Sequence, residues 1–523
     1  MMKIQLSWFH LPVTFPSWNN LEVHSFEYHK RYSLRQFGMA SRNPINSTML
    51  EDYERNPNPL QATILISGCN NLQTAFSIYN TLIKHGSPTL GVFKSLFETC
   101  LELGQPKRAI DVWKDMEKHS IILDYYCFGL LTRICAKTGD SILAKKLFEK
   151  IKNKEFKFEI KSINCAQMIQ ALSYGGKMED SMKLLDWMTE HDIQPEGAVY
   201  VCLLKPCRDL AIGRRIHAHI IKTKYKLDII LVNSLLNMYS KCGSIDDARS
   251  IFDNIESKNI ISWNAMISGY GQNGNAKESI NLFQQMQQSG IQPDHVTFVA
   301  MLNACSHAGL VDEALHYFNT MKDQYQITPD VTNYNCVVNA LGRAGRLEEA
   351  ENLIKTMPHQ PNIITWITLL GACRWNNDVE RAERIAEKAL ELDPQNASIY
   401  VLLANIYAVA GHWDDEAKIR LRMKENGIKK IPGQVWIDID GKVHTFFAHD
   451  KSHEHTNEIS AKLNELYDEL KVSGYVPNTK FVTHNMDEEE KKQHLCTHSE
   501  KLAIGFGLIS TPPGTPLLIA KNL

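Results

Sequence analysis

The clearest regularity in the chain is a pair of positions, one small and one large and apolar, that returns every 31 to 37 residues. The small member is Ala75, Ala109, Ala144, Ser181, Gly213, Ala248, Ser279, Ala314, Ala350, Ala382 and Ala417. Four residues later stands Tyr79, Trp113, Phe148, Leu185, Phe252, Phe283, Phe318, Ile354 or Leu421 in most copies. Positions i and i+4 share one face of a helix, so each copy predicts a helix with a small-large apolar stripe. The small residue lets a second helix approach closely. Upstream of most copies lies a glycine: Gly104, Gly139, Gly176, Gly243, Gly274, Gly309, Gly345 or Gly411. Glycine stops one helix and lets the next begin. Each unit therefore reads helix, turn, helix. Such a pair has no way to bury its apolar face alone, so the copies must stack into an all-α, right-handed α-solenoid.

After residue 430 the period changes. Val435, Ile437 and Ile439 alternate, Asp440-Gly441 supplies a tight turn, and Val443 and Phe446-Phe447 follow. This predicts a β-hairpin within 431–453. Ile459, Leu463, Leu466 and Leu470 then mark one face of a helix. Residues 454–523 are expected to form a short α+β domain. Residues 1–58 read as a leader, targeting or disordered. Lys3, Lys30, Arg31, Arg35 and Arg42 are basic, but Glu22 and Glu27 interrupt them, which weakens a presequence pattern.

Composition narrows the class. The 523 residues are 44% hydrophobic and 22% charged, as in ordinary folded domains, which excludes collagen-like and wholly disordered chains. No apolar run approaches ~18 residues, so no membrane contact is expected. A net charge of −2 does not announce nucleic acid, although a solenoid can gather its cations on one face. The cysteines are scattered with no C-x-x-C spacing, and read as reduced, buried side chains.

Two repeat classes fit this period, the protein-binding tetratricopeptide and the RNA-binding pentatricopeptide. Unit length varies here, and several units end in Gly290-Ile-Gln-Pro-Asp294, Ile327-Thr-Pro-Asp330 or Gln360-Pro-Asn362. With Ser262-Trp263-Asn264, Asn237-Met-Tyr-Ser-Lys-Cys-Gly243 and Leu341-Gly-Arg-Ala-Gly-Arg346, the chain resembles a pentatricopeptide repeat protein of the PLS class. The resemblance places about nine repeats in 59–362. It places two tetratricopeptide-like extension repeats in 363–430, where Ala389-Leu-Glu-Leu-Asp-Pro394 carries the likeness.

The resemblance implies single-stranded RNA as partner, one base per repeat, read by the fifth and last residues of each unit. Those pairs are Asn233/Asn259, Asn264/Asp294 and Asn335/Asn362. By the family's code, Asn with Asp favours uracil, and Asn with Asn favours pyrimidines. The long units give Val201/Asp228 and Val299/Asp330, whose apolar member discriminates little. Thr63/Thr89, Lys94/Asp124, Gly129/Lys161 and Ala166/Glu196 depart from the code, which leaves RNA contact by units 59–196 open.

The hairpin resembles the linker before a DYW-type cytidine deaminase domain, and Leu495-Cys-Thr-His498-Ser-Glu500-Lys-Leu-Ala resembles its first zinc half-motif. The resemblance makes His498 a Zn²⁺ ligand and Glu500 the proton shuttle. The second half-motif, P-C-x-x-C, does not occur in the sequence, and Cys496 sits in the wrong place. One His does not hold Zn²⁺ tightly, so this chain is not expected to deaminate unaided. His444, His449, His453, His455, His484 and His494 read as solvated or hairpin residues. The expected function is selective RNA binding in C-to-U editing, with a deaminase supplied in trans and partners docking through 363–453. A complete editing deaminase continuing beyond Leu523 and a protein-binding scaffold stay open. The resemblance implies an organelle, the mitochondrion before the plastid.

Overall fold

The unit from residue 260 to 294 shows how the sequence builds a repeat. Asn259 is extended and its side chain accepts from the Ser262 N–H at 3.0 Å, which starts the helix Ile260–Gln272. Gly274 turns the chain at φ +78°, a left-handed conformation that glycine adopts without a Cβ penalty. Asn275 then caps Ala276–Gln288 through the Glu278 N–H at 3.2 Å. Ser279, Leu282, Phe283 and Met286 face inward on that second helix.

The same construction repeats along a computed structural model that describes residues 47–429, 433–439, 442–448, 450–474, 498–515, 517 and 519–521. The leader 1–46, the Asp440-Gly441 turn, Cys496, His449, His484 and His494 lie outside the described residues. Helix pairs run from Pro59–Gly68 with Leu72–His85 to Ala397–Ala410 with Trp413–Glu425. All eight expected turn glycines have positive φ, and Asn377 takes the same left-handed role before Val379–Leu392. The described residues fold as two compact units, one ending at Met238 and the second beginning at Tyr239, so the boundary falls within the helix Ile229–Lys241. Each unit is a solenoid of such helix pairs, and the second also carries the small sheet. No helix of the described residues is long and apolar enough to cross a membrane.

The small column is buried from Ala75 to Ala382, and the large partners from Tyr79 to Ile354 are buried with it. The last copy differs. Ala417 is exposed and Leu421 is 55% exposed. The fourth residue of Trp413–Glu425 is Glu416 rather than Ala417, so the stripe is turned by about 100°, and Ile419 is the residue it buries. A second set of small residues lies in the first helices, where neighbouring repeats meet. A Cβ on Gly342 would fall 2.4 Å from the Ala372 Cβ, and one on Gly271 would fall 2.7 Å from the Ala304 Cβ. These glycines set the spacing between successive first helices.

The second helices are laced by ion pairs from repeat to repeat. Examples are Arg249–Glu278 at 3.0 Å, Arg346–Asp312 at 3.1 Å, and Arg381 and Arg384 on Glu351 at 3.3 and 3.4 Å. Such pairs contribute little stability each. They do neutralise cations on that side, so bulk charge says little about the first-helix face.

The C-terminal segment is built differently. Strands β1 (Gln434–Ile439) and β2 (Lys442–Phe447) form the expected antiparallel hairpin, with Val435 opposite Phe446. A third strand, β3 (Ile519–Lys521), pairs antiparallel with β1, giving the order β2-β1-β3. Val435, Ile437, Phe446, Ile459, Leu502, Ala503 and Phe506 make the core. The helix Thr456–Val472 is covered most fully at its start. Ile459 is buried while Leu470 is exposed, because Ser499–Ser510 lies against Ile459 and Leu463 through Gly505.

Candidate nucleic-acid interface and deaminase-like segment

The last residue of a unit is the N-cap of the next first helix. Asp124, Asp228, Asn259, Asp294, Asp330 and Asn362 each accept from a backbone N–H three residues on, at 2.7–3.0 Å. The fifth residue sits one turn into its own first helix, facing that cap. Asn264 and Asp294 touch directly: the Asn264 Nδ2–H donates to Asp294 Oδ1 at 3.0 Å. The Thr297 hydroxyl donates to Asn264 Oδ1 at 2.6 Å and lies 2.8 Å from Asp294 Oδ1. Asn335 and Asn362 are joined through Thr365, whose hydroxyl is 2.7 Å and 3.0 Å from their Oδ1 atoms. Asn233 is 5% exposed, and Asn259 accepts from the Ser262 hydroxyl at 3.0 Å. Asn233 and Asn259 fall in the two separate compact units.

Thr297 and Thr365 are functional candidates that sequence reasoning missed. Their signal was available as a Thr three residues after an Asp or Asn cap. Thr297 fixes which way the Asn264 amide points, its oxygen toward the hydroxyl and its nitrogen toward the Asp294 cap, and Thr365 holds the Asn335 oxygen in the same way. In the unit 295–330, Val299 replaces the amide and Asn333 replaces the Thr. The Asp330 N–H donates to Asn333 Oδ1 at 3.0 Å, and the buried Asn333 Nδ2 has no hydrogen-bond partner among the described residues. The apolar Val299 thus breaks the network found in the neighbouring units.

A second missed feature is the row of exposed apolar side chains at the second residue of the first helices. Leu60, Tyr126, Ile163, Ile230 and Ile261 are 75, 48, 38, 58 and 49% exposed. Large apolar residues so placed at regular spacing are unusual on a solvated helix. Positions two, five, nine and thirteen of a helix share one face. The thirteenth position holds Lys137, Lys241, His307 and Arg343 in four first helices, Glu102, Tyr174 and Gln272 in three others, and Trp375 and Val409, 58% and 40% exposed, in the last two.

The N-terminal pairs carry other chemistry. Lys94 Nζ lies 3.9 Å from the centre of the Tyr126 ring, and Lys161 Nζ lies 5.4 Å from that of Tyr125. The Tyr126 hydroxyl donates to Glu98, and burial, then this bond, pushes the phenol well above its ordinary value. Ala166 is buried, and Gly129 offers no side chain.

In the C-terminal segment, His498 is the N-cap residue of Ser499–Ser510 and Glu500 lies in that helix's first turn. His498 Nδ1 and Glu500 Oε2 are hydrogen-bonded to each other, and the Ser499 hydroxyl donates to the same oxygen at 3.2 Å. Among the described residues no group of three or more His, Cys, Asp and Glu could hold a metal ion. A catalytic zinc needs three protein ligands, and the described residues do not bring three together. Two of the histidines, His444 in strand β2 of the hairpin and His453, are also in contact. His444 Nδ1 and His453 Nε2 are 2.9 Å apart, and both rings pack on Phe506 at 4.3 and 4.7 Å.

Known families match in the same order along the chain. Residues 124–255 match a family described as pentatricopeptide repeat-containing protein, 258–307 the PPR repeat family, and 296–324 and 326–358 the PPR repeat. Residues 376–438 match the E motif, 443–470 the E+ motif, and 474–523 the DYW family of nucleic acid deaminases. A mitochondrial pentatricopeptide repeat-containing protein of Arabidopsis thaliana is 35% identical over 479 residues, covering 91% of this chain and 69% of that one. A chloroplastic one from the same plant is 35% identical over 492 residues, covering 91% and 53%. The chain thus spans between about half and seven-tenths of these relatives' lengths. A crystal structure of a pentatricopeptide repeat protein in complex with an 18-nucleotide RNA element matches with a TM-score of 0.54 at 14% identity, covering 78% of this chain and 67% of that one. At that identity the likeness is one of fold. With glycine-turned helix pairs, side-chain-capped first helices and the E, E+ and DYW segments in order, the chain belongs to the pentatricopeptide repeat family.

Proposed function

We propose that this protein is a sequence-selective single-stranded RNA-binding protein of the C-to-U editing type. It would hold a target cytidine for a deaminase acting in trans. The observation that carries the reading is the register of the first-helix face. Exposed apolar residues stand at the second place of five first helices, amides at the fifth place of three, and cations at the thirteenth place of several. Bases can lie against the apolar side chains, amides can meet base edges, and Lys137, Lys241 and Arg343 can meet phosphates. Asn264/Asp294 and Asn335/Asn362 are the proposed reader pairs. Asn264 is pinned by Thr297, so its remaining N–H and the second Asp294 oxygen present a fixed donor and acceptor to a base.

The change from Arg343 to Trp375 and Val409 supports a different partner beyond residue 363. Apolar side chains suit a protein surface better than a phosphate. On this reading 363–453 docks the deaminase or another editing factor. The 474–523 match supports descent from a zinc-dependent deaminase, with His498 and Glu500 in the ancestral roles of ligand and proton shuttle. The relatives named mitochondrial and chloroplastic support an organellar site of action, with the mitochondrion preferred.

Filter-binding titration against pyrimidine-rich single strands at several salt concentrations tests the RNA reading. Salt-dependent binding is expected, with a slope of roughly −0.7 per neutralised phosphate. Absence of salt-dependent binding would sink it. Zinc analysis of the purified chain separates the trans reading from a self-sufficient editor. Near-stoichiometric zinc would favour the latter.

A further inference from the structure

A nine-residue helix, Ser47–Arg55, stands ahead of the first helix pair, Pro59–Gly68 with Leu72–His85. Helices this short are marginal in water on their own, so packing must hold it. Tyr53, in its last turn, is 1% exposed, and its hydroxyl donates to the Ile78 carbonyl, 25 residues away, at 2.9 Å. Ile78 is buried in the second helix of that first pair. Burial pushes the Tyr53 phenol up to about 12, so the hydroxyl keeps its proton for this bond. The other side chains of the turn are polar and exposed: Glu51, Asp52, Glu54 and Arg55. Asn58 then caps Pro59–Gly68 by accepting from the Gln61 N–H at 2.9 Å. The charge along the chain changes at the same place. Residues 28–46 hold Lys30, Arg31, Arg35 and Arg42 and no acid, whereas Glu51, Asp52 and Glu54 crowd into the helix beside Arg55. A targeting leader is basic and poor in acids, and that pattern ends where the helix begins.

We infer that Ser47–Arg55 is the N-terminal cap of the repeat array, kept in the working protein, and that the peptide bond a processing protease hydrolyses to remove the leader lies ahead of Ser47. The second half of this inference rests on the organellar site of action proposed above. In a stacked array each helix pair is covered by a neighbour on either side, and the first pair has no repeat before it. A terminal unit answers this with an apolar inner face and a polar outer one. The short helix has that division, with the Tyr53 ring inward and the carboxylates outward. It acts as half a repeat, covering Ile78 as a preceding second helix would. The leader then ends before residue 47 rather than at 58. A cut within 47–58 would detach Tyr53 from the array and uncover the flank of Leu72–His85, where Ala75, Ile78 and Tyr79 are buried. It would also leave a buried carbonyl without the donor it meets now.

Two measurements on the full chain test this. The first is hydrogen exchange of the purified protein and its variants. Tyr53→Phe keeps the ring and removes only the bond to Ile78, so protection in 72–85 should fall about fivefold. Tyr53→Glu puts a carboxylate in the buried place of the ring, so protection in 47–55 should vanish and that in 59–85 should fall about tenfold or more, with 260–294 unchanged. Glu54→Gln, on the outer face, should change none of these. Undiminished protection of 59–85 in Tyr53→Glu overturns the cap. If that variant does not fold, Tyr53→Phe still decides, since undiminished protection in 72–85 overturns the cap as well. The second measurement offers the full chain to isolated mitochondria and chloroplasts and reads the N-terminus of the imported protein by mass spectrometry. The expected N-terminus lies after Met1 and no later than Ser47. An imported chain that begins beyond Ser47, or one still intact at Met1, overturns the processing site. Import into neither organelle overturns the processing site together with the organellar reading, and the cap then stands or falls on hydrogen exchange alone.

Discussion

The helix pairs and the C-terminal segment both bring backbones together through helical glycines, but across different stretches of chain. Gly342 meets Ala372, one repeat onward. Gly507 lies where a Cβ would fall 2.8 Å from the Ile437 Cδ1 and 2.7 Å from the Leu517 Cδ1, and Ile437 is some seventy residues earlier. In the repeats each contact is local and has many counterparts. In the C-terminal segment a handful of contacts close a small core, and none is duplicated. Nearest-neighbour stability lets a repeat drift in chemistry without losing the fold. A single small core tolerates no such drift.

The largest effect should come from the core without duplicates. Phe506 is 3% exposed and touches Phe446, His444 and His453. Phe506→Ala should remove about 3–5 kcal/mol of local stability. Hydrogen exchange should show lost protection in 434–447 and 499–510 with the helix pairs unchanged. Protection lost throughout the chain would erase the distinction between the two regions.

Gly342→Val comes next, at about 1–3 kcal/mol, because its side chain would enter the space of Ala372. Urea unfolding followed by hydrogen exchange should confine the damage to 331–392. Damage spreading to the C-terminal core would contradict nearest-neighbour behaviour.

Thr297→Val keeps the shape but removes the hydroxyl shared by Asn264 and Asp294. About 1 kcal/mol should be lost. Base discrimination at the Asn264 position should fall even though Thr297 itself is buried. Unchanged discrimination would show that the amide does not need its hydrogen-bonded support.

The smallest effect is titrimetric. Burial pushes the Glu351 carboxyl up, but Lys355, Arg384 and Arg381 outweigh this and hold it below its ordinary value of 4.5. A lowered folded value gives stability that is present above 4.5 and lost as pH falls through the lowered value. Glu351→Gln should therefore narrow its stability gap from wild type as pH drops below 4.5, by under about 1 kcal/mol. A pH-independent gap would remove the ion pairs of the second helices from the energetics.

Much of the solenoid was legible because its signals are short-range. A small residue, an apolar residue four places on and a glycine before them define a helix pair without reference to anything distant. Where the local spacing slipped, as at Ala417, the periodic reading put the wrong side chain inward. The first-helix glycines Gly271 and Gly342 were not legible, since an isolated Gly in a helical pattern does not say what approaches it. The candidate reader positions could be numbered from resemblance. Their support by Thr297 and Thr365 depends on a cap and an amide some thirty residues apart. The parking of Lys94 on Tyr126 joins two repeats in the same way.

The sequence by itself determined the helix pairs, their turns and the hairpin, because capping, glycine conformation and hydrophobic period act over a few residues. The pairing of β3 with β1, the histidine contact on Phe506 and the side-chain networks at the reader positions were decided by tertiary structure. Each joins groups that are distant in sequence, and their distances and hydrogen-bond directions exist only once the neighbouring backbone is in place.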